Sequence, residues 1–305
     1  MFYVIIYIVI FLIITKHLFN FKDEYYESNS NHSINVCDLA KIYTPNIISY
    51  ILDSILTNNK DINIYHITND NYDKNKINIV ISGEPWKIQN KVDLSIGPIT
   101  EQPNAKYHIF YPQMYSSLFE HKKSIDPKDY IFNKTKFCAY MYRAQHEHRK
   151  KYFNLISKYK VVDALGECCK NTPIAITRDI NNETETYNDI AVELYKDYKF
   201  VIAVENTYVD GYFTEKIINP LIANSIPIYW GDKKVFDYIN KKRVIYIPDY
   251  TDDELLQKIK QLDENDSEYN KIVNESIYTG NDKLPENIEK NLKNDIKEKM
   301  KLLLG

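Results

Sequence analysis

The stretch Phe200–Asp232, reading FVIAVENTYVDGYFTEKIINPLIANSIPIYWGD, constrains the fold of this chain more than any other. It opens on an apolar run, Phe200–Val204, long enough for a strand buried on both faces. A polar, turn-prone segment follows, Glu205–Gly211, then helical spacing over Thr214–Ala223. A second apolar strand, Ile226–Tyr229, is closed by Trp230-Gly231. Strand, loop, helix and strand within about thirty residues make a βαβ unit, and such units bind ligands at the carboxyl ends of their strands. That rule puts Glu205, Asn206, Asp210, Tyr212, Glu215 and Lys216 at the ligand.

The rest of the chain sets the bounds. At 305 residues there is length for two ordinary domains, and 44% hydrophobic content is that of a globular protein. A net charge of −3 leaves no basic excess to neutralise a phosphate backbone, so nucleic acid is not an expected partner. The 27 Tyr and 7 Gly read as the drift of an AT-rich genome, which speaks of ancestry and not of function. Cys37, Cys138, Cys168 and Cys169 have neither metal-site spacing nor the density of a disulfide scaffold, so Cys168-Cys169 reads as packing or half of a bridge.

Met1–Thr15 carries no charge, and with Lys16, Leu18, Phe19 and Phe21 it approaches the roughly 20 residues a membrane span needs. No basic leader and no small-residue cleavage site accompany it. The expectation is a single-pass anchor over residues 1–22 and a polar stem over 23–35. Orientation stays open. Lys16, His17 and Lys22 follow the span, which favours a cytoplasmic catalytic part by the positive-inside rule. Glycosylation triplets at Asn31, Asn133, Asn182, Asn265 and Asn274 instead favour the lumen of a Golgi- or ER-type compartment; a viral-host membrane is a further setting.

An N-terminal unit, 36–125, alternates helix and strand: helical spacing over Ala40–Leu56 with Pro45 near its first turn, then strand-like runs at Ile62–Thr68, Ile77–Ser82, Val92–Ile96 and Tyr107–Tyr111. The run Ile77–Ser82 ends in Gly83-Glu84-Pro85-Trp86. A carboxylate directly after a buried strand lies on the ligand-facing edge of an α/β sheet; a solvated loop glutamate is the plain alternative. Ser124–Lys136, with Pro127 and no periodicity, reads as a linker into a second unit, 126–265. There Phe137–Tyr142 and Val161–Leu165 read as strands and His146–Tyr159 and Tyr187–Tyr198 as helices. An irregular insertion runs from Gly166 to about Asn188. His146, His148, Arg149, Lys150 and Lys151 crowd a helix start, against its dipole, which solvation or a nearby anion would explain. His146 and His148 do not share a helix face, so a metal site is not expected there. Lys233–Asn240 reads as a short helix, Val244–Ile247 as a strand, and Thr251–Leu262 as a helix opened by a Thr251/Glu254 capping box. The C-terminal helical segment, 266–305, holds a basic amphipathic stretch, Asn287–Leu304, that packs across the protein or lies on a membrane surface.

Phe200–Asp232 resembles the donor-binding motif of the α-1,3/4-fucosyltransferases, glycosyltransferase family 10. The matching residues are Val204-Glu205-Asn206, then Tyr212-Phe213-Thr214-Glu215-Lys216, then Ile226-Pro227-Ile228-Tyr229-Trp230-Gly231. Phe137-Cys138-Ala139, Arg149–Phe153 and Val161-Val162-Asp163 with Gly166 are similar to the family's preceding segment. Ser82-Gly83-Glu84 looks like its N-terminal carboxylate site. Pro220 departs from the pattern, and Pro costs roughly 3 kcal/mol inside a helix, so a kink or an early end is expected. Asn224 replaces a glycine after that helix and is the next-best residue for a left-handed cap. His146–His148 replaces an Asn-Pro-type loop.

The resemblance implies an α/β fold of GT-B architecture, two Rossmann-like domains facing across a cleft, with GDP-fucose held by the C-terminal one. It implies inverting transfer of fucose to a hydroxyl of a glycan acceptor, in an α-1,3-type linkage, with Glu84 as general base. A diphosphate leaving group calls for cations and helix N-termini, which Arg149 and Lys216 supply. Glu215 repels phosphate, so its role is recognition of sugar hydroxyls or stabilisation of positive charge on the sugar ring. Asn206 and Tyr212 are donor contacts by resemblance. No Asp-x-Asp pair ends a strand, and no cofactor or metal is expected to be required, which leaves Mn²⁺ stimulation open. Another GDP-sugar as donor, or a catalytically silent glycan-binding surface protein, are the competing readings; four intact residues, Glu84, Arg149, Glu215 and Lys216, weigh against the second.

Overall fold

The computed structural model describes residues 33–37, 45–55, 60–67, 72–115, 134–172, 187–280 and 284–305. The expected membrane anchor, most of the stem, nearly all of the linker, and part of the insertion after Gly166 lie outside the described residues.

Runs such as INIYH and INIVI, β-branched and glycine-free, favour extended backbone. They build a first sheet from β1 (Ile34–Val36), β2 (Ile62–His66), β3 (Ile77–Ile81), β4 (Val92–Gly97) and β5 (Ala105–Phe110), paired in chain order and all parallel. Ile62, Ile64, Ile79, Ile81, Leu94 and Ile96 are buried together with Ile47, Ile48 and Ile51 of α1 (Pro45–Asp53). Burying each such side chain is worth about 1.5–3 kcal/mol. A one-residue register slip would exchange that isoleucine row for Asn63, Asn78 and Asp93, so the register is fixed.

The second sheet comprises β6 (Lys136–Tyr140), β7 (Val162–Ala164), β8 (Tyr198–Val204), β9 (Ile226–Trp230) and β10 (Ile245–Tyr246), in the order β10-β9-β8-β6-β7, again all parallel. Its alternation is clean. Cys138, Tyr140, Phe200, Ile202, Val204, Ile226 and Ile228 pack with α2 (Glu147–Ser157), α5 (Asp252–Glu264) and α6 (Asp266–Val273). Ala139, Val201, Ala203 and Tyr229 pack with α3 (Tyr187–Tyr195) and α4 (Glu215–Ile222). The strand order reverses between β6 and β8, and a crevice at the carboxyl ends of such a pair is where open α/β sheets bind ligands.

Several boundaries differ from expectation. β8 begins at Tyr198, not Phe200, and α3 stops at Tyr195, because the backbone here pairs with β6: Tyr198 is in register with Lys136, whose N–H donates to Asp197 O at 2.9 Å, and the Tyr198 hydroxyl donates to Asp163 Oδ2 of β7 at 2.8 Å. The expected strand Val244–Ile247 shrinks to two residues, since Pro248 cannot donate to a ladder and Ile247–Asp249 turns into a 3₁₀ segment. Lys233–Asp237 is likewise 3₁₀. α4 ends two residues after Pro220, and Asn224 takes φ 53°. Ser225 N–H bonds Pro220 O at 2.8 Å and Asn224 N–H bonds Leu221 O at 3.0 Å, a Schellman closure around that left-handed residue. The Thr251/Glu254 capping box is formed.

The C-terminal helix α7 (Leu284–Leu304) returns to the first sheet and buries Ile288, Leu292, Ile296 and Met300 against α1 and β5. Tyr50 Oη donates to Glu289, and Lys60 Nζ to Leu303 O at 2.7 Å. Its apolar face is therefore used in packing. Among the described residues no helix is long and apolar enough to cross a membrane.

Candidate active site

Four strand ends converge on one place. After β6 the chain turns through Tyr142, whose hydroxyl donates to Ile202 O at 2.8 Å and accepts from Val204 N at 2.6 Å. These bonds fix its ring beneath Arg149, with the guanidinium carbon 4.2 Å from the ring centroid. Arg149, two residues inside α2, is 2% exposed. Its Nε donates to Val204 O at 3.1 Å and its Nη2 to Asn206 Oδ1. Among the described residues no carboxylate pairs with it. A buried cation without a counter-ion is costly, and an anion at this spot would relieve that cost.

Directly after β8, Glu205 is fully buried. It accepts from Thr214 N at 2.8 Å and Thr214 Oγ1 at 2.9 Å, and lies 3.6 Å from Lys216 Nζ. Thr214 caps α4, so Glu205 holds the helix start in place. Burial raises the Glu205 carboxyl above its usual range, with Lys216 pulling against it. Gly231 is a steric necessity here: a Cβ would come within 2.2 Å of Tyr229 Oη and 2.8 Å of Glu205 Cγ.

Lys216 Nζ lies 3.0 Å from Glu215 Oε1. Burial alone would lower the Lys216 ammonium, but Glu215 and Glu205 hold it well above its ordinary value, so it is a cation across the physiological range. Burial likewise works to raise Glu215, and the adjacent Lys216 more than offsets it, leaving that carboxyl below its usual range. Arg149 and Lys216 repel one another electrostatically across the space between α2 and α4.

Glu84 comes from the first sheet. Ser82 Oγ donates to Glu84 O at 2.7 Å and accepts from Glu84 N at 3.1 Å, which turns the loop after β3. The Glu84 carboxylate accepts from Tyr212 Oη at 3.0 Å, and that hydroxyl accepts from Asn206 Nδ2 at 3.2 Å. Arg149, Asn206, Tyr212 and Glu84 thus form one hydrogen-bonded chain, and Glu205, Thr214, Glu215 and Lys216 a second cluster beside it.

Two polar residues of this loop are committed to protein partners. Asp210 is bonded by Thr100 Oγ1, from the loop after β4, and by Lys234 Nζ at 2.8 Å, so it ties the two units together. The Glu205 carboxylate is taken up by Thr214 and Lys216. Gly211, next to Asp210, has φ 85°, and a Cβ there would approach Pro98 O to 2.4 Å, so only glycine admits this contact. Tyr142 was not singled out from the sequence, and Glu205, placed there at the ligand, instead braces the start of α4 through Thr214. Nothing in periodicity marks Tyr142, whereas a carboxylate and a threonine flanking the loop of a βαβ unit were visible signals.

His148 Nε2 lies 2.9 Å from Glu205 O, and its ring packs 4.9 Å from Trp230, whose indole also meets the Tyr208 ring at 5.7 Å. Burial, with Arg149, His148 and Lys216 nearby, lowers the His146 imidazole. Cys168 and Cys169 are free thiols, as are Cys37 and Cys138. Among the described residues no group of three His, Cys, Asp or Glu side chains is arranged to hold a metal ion.

Residues 114–274 match the family model described as glycosyltransferase family 10 (fucosyltransferase), C-terminal. A protein of Acanthamoeba polyphaga mimivirus that carries a fucosyltransferase name is 46% identical over 275 residues, 87% of this chain and 46% of that protein. GDP-fucose protein O-fucosyltransferase 3 of Xenopus laevis is 32% identical over 127 residues, 41% of this chain and 27% of that protein. Alpha-(1,3)-fucosyltransferase B of Drosophila melanogaster is 32% identical over 126 residues, 40% and 28%. The chain therefore spans less than half the length of these relatives. An alpha1,3-fucosyltransferase crystal structure with GDP-fucose aligns at TM-score 0.65 and 18% identity over 89% of this chain and 92% of that one. The same enzyme type with GDP aligns at 0.66 and 19%. These structures share the fold: α/β, with parallel sheets.

Proposed function

Because this chain belongs to glycosyltransferase family 10, the fucosyltransferases, we propose that it transfers L-fucose from GDP-fucose to a hydroxyl of a glycan acceptor, with inversion and in an α-1,3-type linkage. The two sheets are then the halves of a GT-B enzyme, an acceptor-side domain over 36–125 and a donor domain over 126–265, with 266–305 as a C-terminal helical segment. The observation that carries the reading is the arrangement across the crevice. A buried, uncompensated Arg149 and a cationic Lys216 lie on the β8–β9 side, and a carboxylate, Glu84, faces them from the loop after β3.

In the reaction the acceptor oxygen attacks the fucosyl anomeric carbon and gives its proton to Glu84, while the bond from that carbon to the β-phosphate oxygen breaks and GDP leaves. Arg149 and Lys216 receive the developing charge on the diphosphate. Asn206 orients Arg149. Glu215, next to Lys216, faces the sugar, where a carboxylate recognises hydroxyls and steadies positive charge on the ring. The chemistry asks for no metal, with added Mn²⁺ at most stimulatory. The apolar stretch 1–22 tethers the enzyme to a membrane.

A panel of nucleotide sugars, incubated with the protein and a glycan array and read by nucleotide release and product mass, tests this. GDP released from GDP-fucose with a deoxyhexose added to a glycan is the expected result. Turnover of a different GDP-sugar alone would replace the donor, and no turnover of any donor would leave a binding protein. Loss of activity on chelation, restored by metal alone, would overturn the metal-independent reading.

A further inference from the structure

The chain of hydrogen bonds that ends at Glu84 has one possible direction. A guanidinium group only donates, so Arg149 Nη2 fixes the carbonyl oxygen of Asn206 as the atom that faces it. The amide nitrogen therefore faces Tyr212 and donates to its hydroxyl. That hydroxyl, already accepting, has its single proton for Glu84 Oε2 at 3.0 Å. Tyr212 is 1% exposed, so no bulk water competes for the bond. Burial and the nearby Glu205 and Glu84 carboxylates keep the hydroxyl protonated.

Tyr212 also sits in the middle of a strap between the two sheets. Asp210 bonds Thr100, Gly211 packs on Pro98 and Phe110, and Phe213 O accepts from Met114 N at 3.3 Å. Four consecutive residues, 210–213, thus each touch the first unit, mostly at the loops that follow its strands.

We infer that Tyr212 is a positioning residue for the base: its hydroxyl holds Glu84 Oε2, leaves Oε1 for the acceptor hydroxyl, and makes the placement of the base depend on the Arg149–Asn206 pair of the donor side. The inference rests on reading Glu84 as the base and departs from the donor contact that the family resemblance implies for Tyr212. A glutamate on a loop has three side-chain torsions, and a hydrogen bond to its charged group is worth about 1.5–3 kcal/mol. Without that bond the carboxylate spreads over rotamers, most of them out of reach of the acceptor. No proton passes along the chain, because Asn206 cannot relay one; what passes is position.

Tyr212→Phe removes one oxygen and keeps the ring. With GDP-fucose and the acceptor selected by the panel, kcat is expected to fall about 10–100-fold, the rate equivalent of that bond. GDP affinity by calorimetry and the KM for GDP-fucose stay within about 3-fold. In Glu84→Gln, whose residual transfer is read over long incubations, adding Tyr212→Phe costs less than about 2-fold more, because the two groups act as a unit. Melting temperature, measured on each variant, separates a structural defect, which would lower GDP binding and melting together. Unchanged kcat in Tyr212→Phe beside a dead Glu84→Gln overturns this inference alone. Losses that multiply in the double variant, or a loss of GDP affinity with kcat intact, overturn it too. Normal transfer by Glu84→Gln overturns instead the base reading on which it rests.

Discussion

Replacing Lys216 with Met tests the electrostatics of the donor side with a sign as well as a size. Lys216 Nζ lies 3.0 Å from Glu215 and 3.6 Å from Glu205. Lys216 is the cation paired with both carboxylates, and without it they lose that counter-ion. A charge-assisted hydrogen bond to phosphate is worth about 1.5–3 kcal/mol. An unbalanced carboxylate roughly 6 Å from a phosphate charge, at an effective dielectric near 20, adds repulsion of about 3 kcal/mol before screening. Allowing for screening, Lys216→Met should weaken GDP binding by about 3–4 kcal/mol, or 10²–10³-fold in Kd. Glu215→Gln should act in the opposite direction. It removes one repelling charge whose field Lys216, 3.0 Å away, already largely offsets, so GDP binds only about 2–5-fold tighter, while turnover of GDP-fucose falls because the sugar loses its carboxylate. Calorimetry with GDP at two salt concentrations reads both, and both effects shrink at the higher one. If Lys216→Met binds GDP like the parent, or if Glu215→Gln weakens GDP as much as Lys216→Met does, the assignment of Lys216 to phosphate and Glu215 to sugar is wrong.

Other perturbations probe the scaffold. Asn224, at φ 53°, accepts from Arg243 Nη2 at 2.9 Å, and Arg243 is fully buried. Asn224→Gly keeps the backbone but removes one hydrogen bond from that buried cation, whose Nη1 still donates to Ile272 O at 3.0 Å, at a cost of about 2 kcal/mol, and Asn224→Ala adds about 1 kcal/mol of left-handed strain, a difference that urea titration resolves. Burial lowers Lys134 to about 7, where its Nζ donates to Ala223 O at 2.6 Å and Ser225 Oγ at 3.1 Å. Its folded-state value lies below the unfolded one of roughly 10.4. The unfolded chain therefore binds more protons between about pH 7 and 10, and stability from this group rises with pH across that window and is least below it. Denaturation at pH 6 and pH 9 should show Lys134→Met flattening the rise; an unchanged slope would mean that Lys134 is solvated. Gly211→Ala forces a Cβ to 2.4 Å from Pro98 O at positive φ, so a loss of about 2–4 kcal/mol, read as a lower melting temperature, is expected together with lower transfer.

Much of this fold was legible because its strands are buried on both faces and hence read as unbroken apolar runs. Phe200–Val204 and Ile226–Trp230 are examples. Ends were less legible. Pro248 cut β10 short and Tyr198 lengthened β8, since hydrogen-bonding partners and not hydrophobicity decide where a strand stops. The single substitution most at odds with helix formation, Pro220, proved consistent with a short α4 closed by Asn224. At the site, Glu84, Arg149, Asn206 and Tyr212 were each picked from the sequence. That they form one chain across two sheets was not readable, because contacts such as the one between residues 84 and 212 leave no trace in local pattern. Asp210 shows the converse, a polar residue in a ligand-facing loop spent on holding the sheets together.

The central claim is that the working parts are divided, with the donor held on the second sheet and the proton accepted from the first. Glu84→Gln, nearly isosteric, tests it most directly when fucosyl transfer and GDP affinity are measured on the same preparation. The account predicts that transfer falls about 10²–10⁴-fold, to a residual level, while the Kd for GDP stays within about 3-fold of the parent, since no phosphate contact is assigned to Glu84. Transfer at the parental rate, or a loss of GDP binding that matches the loss of transfer, would contradict it.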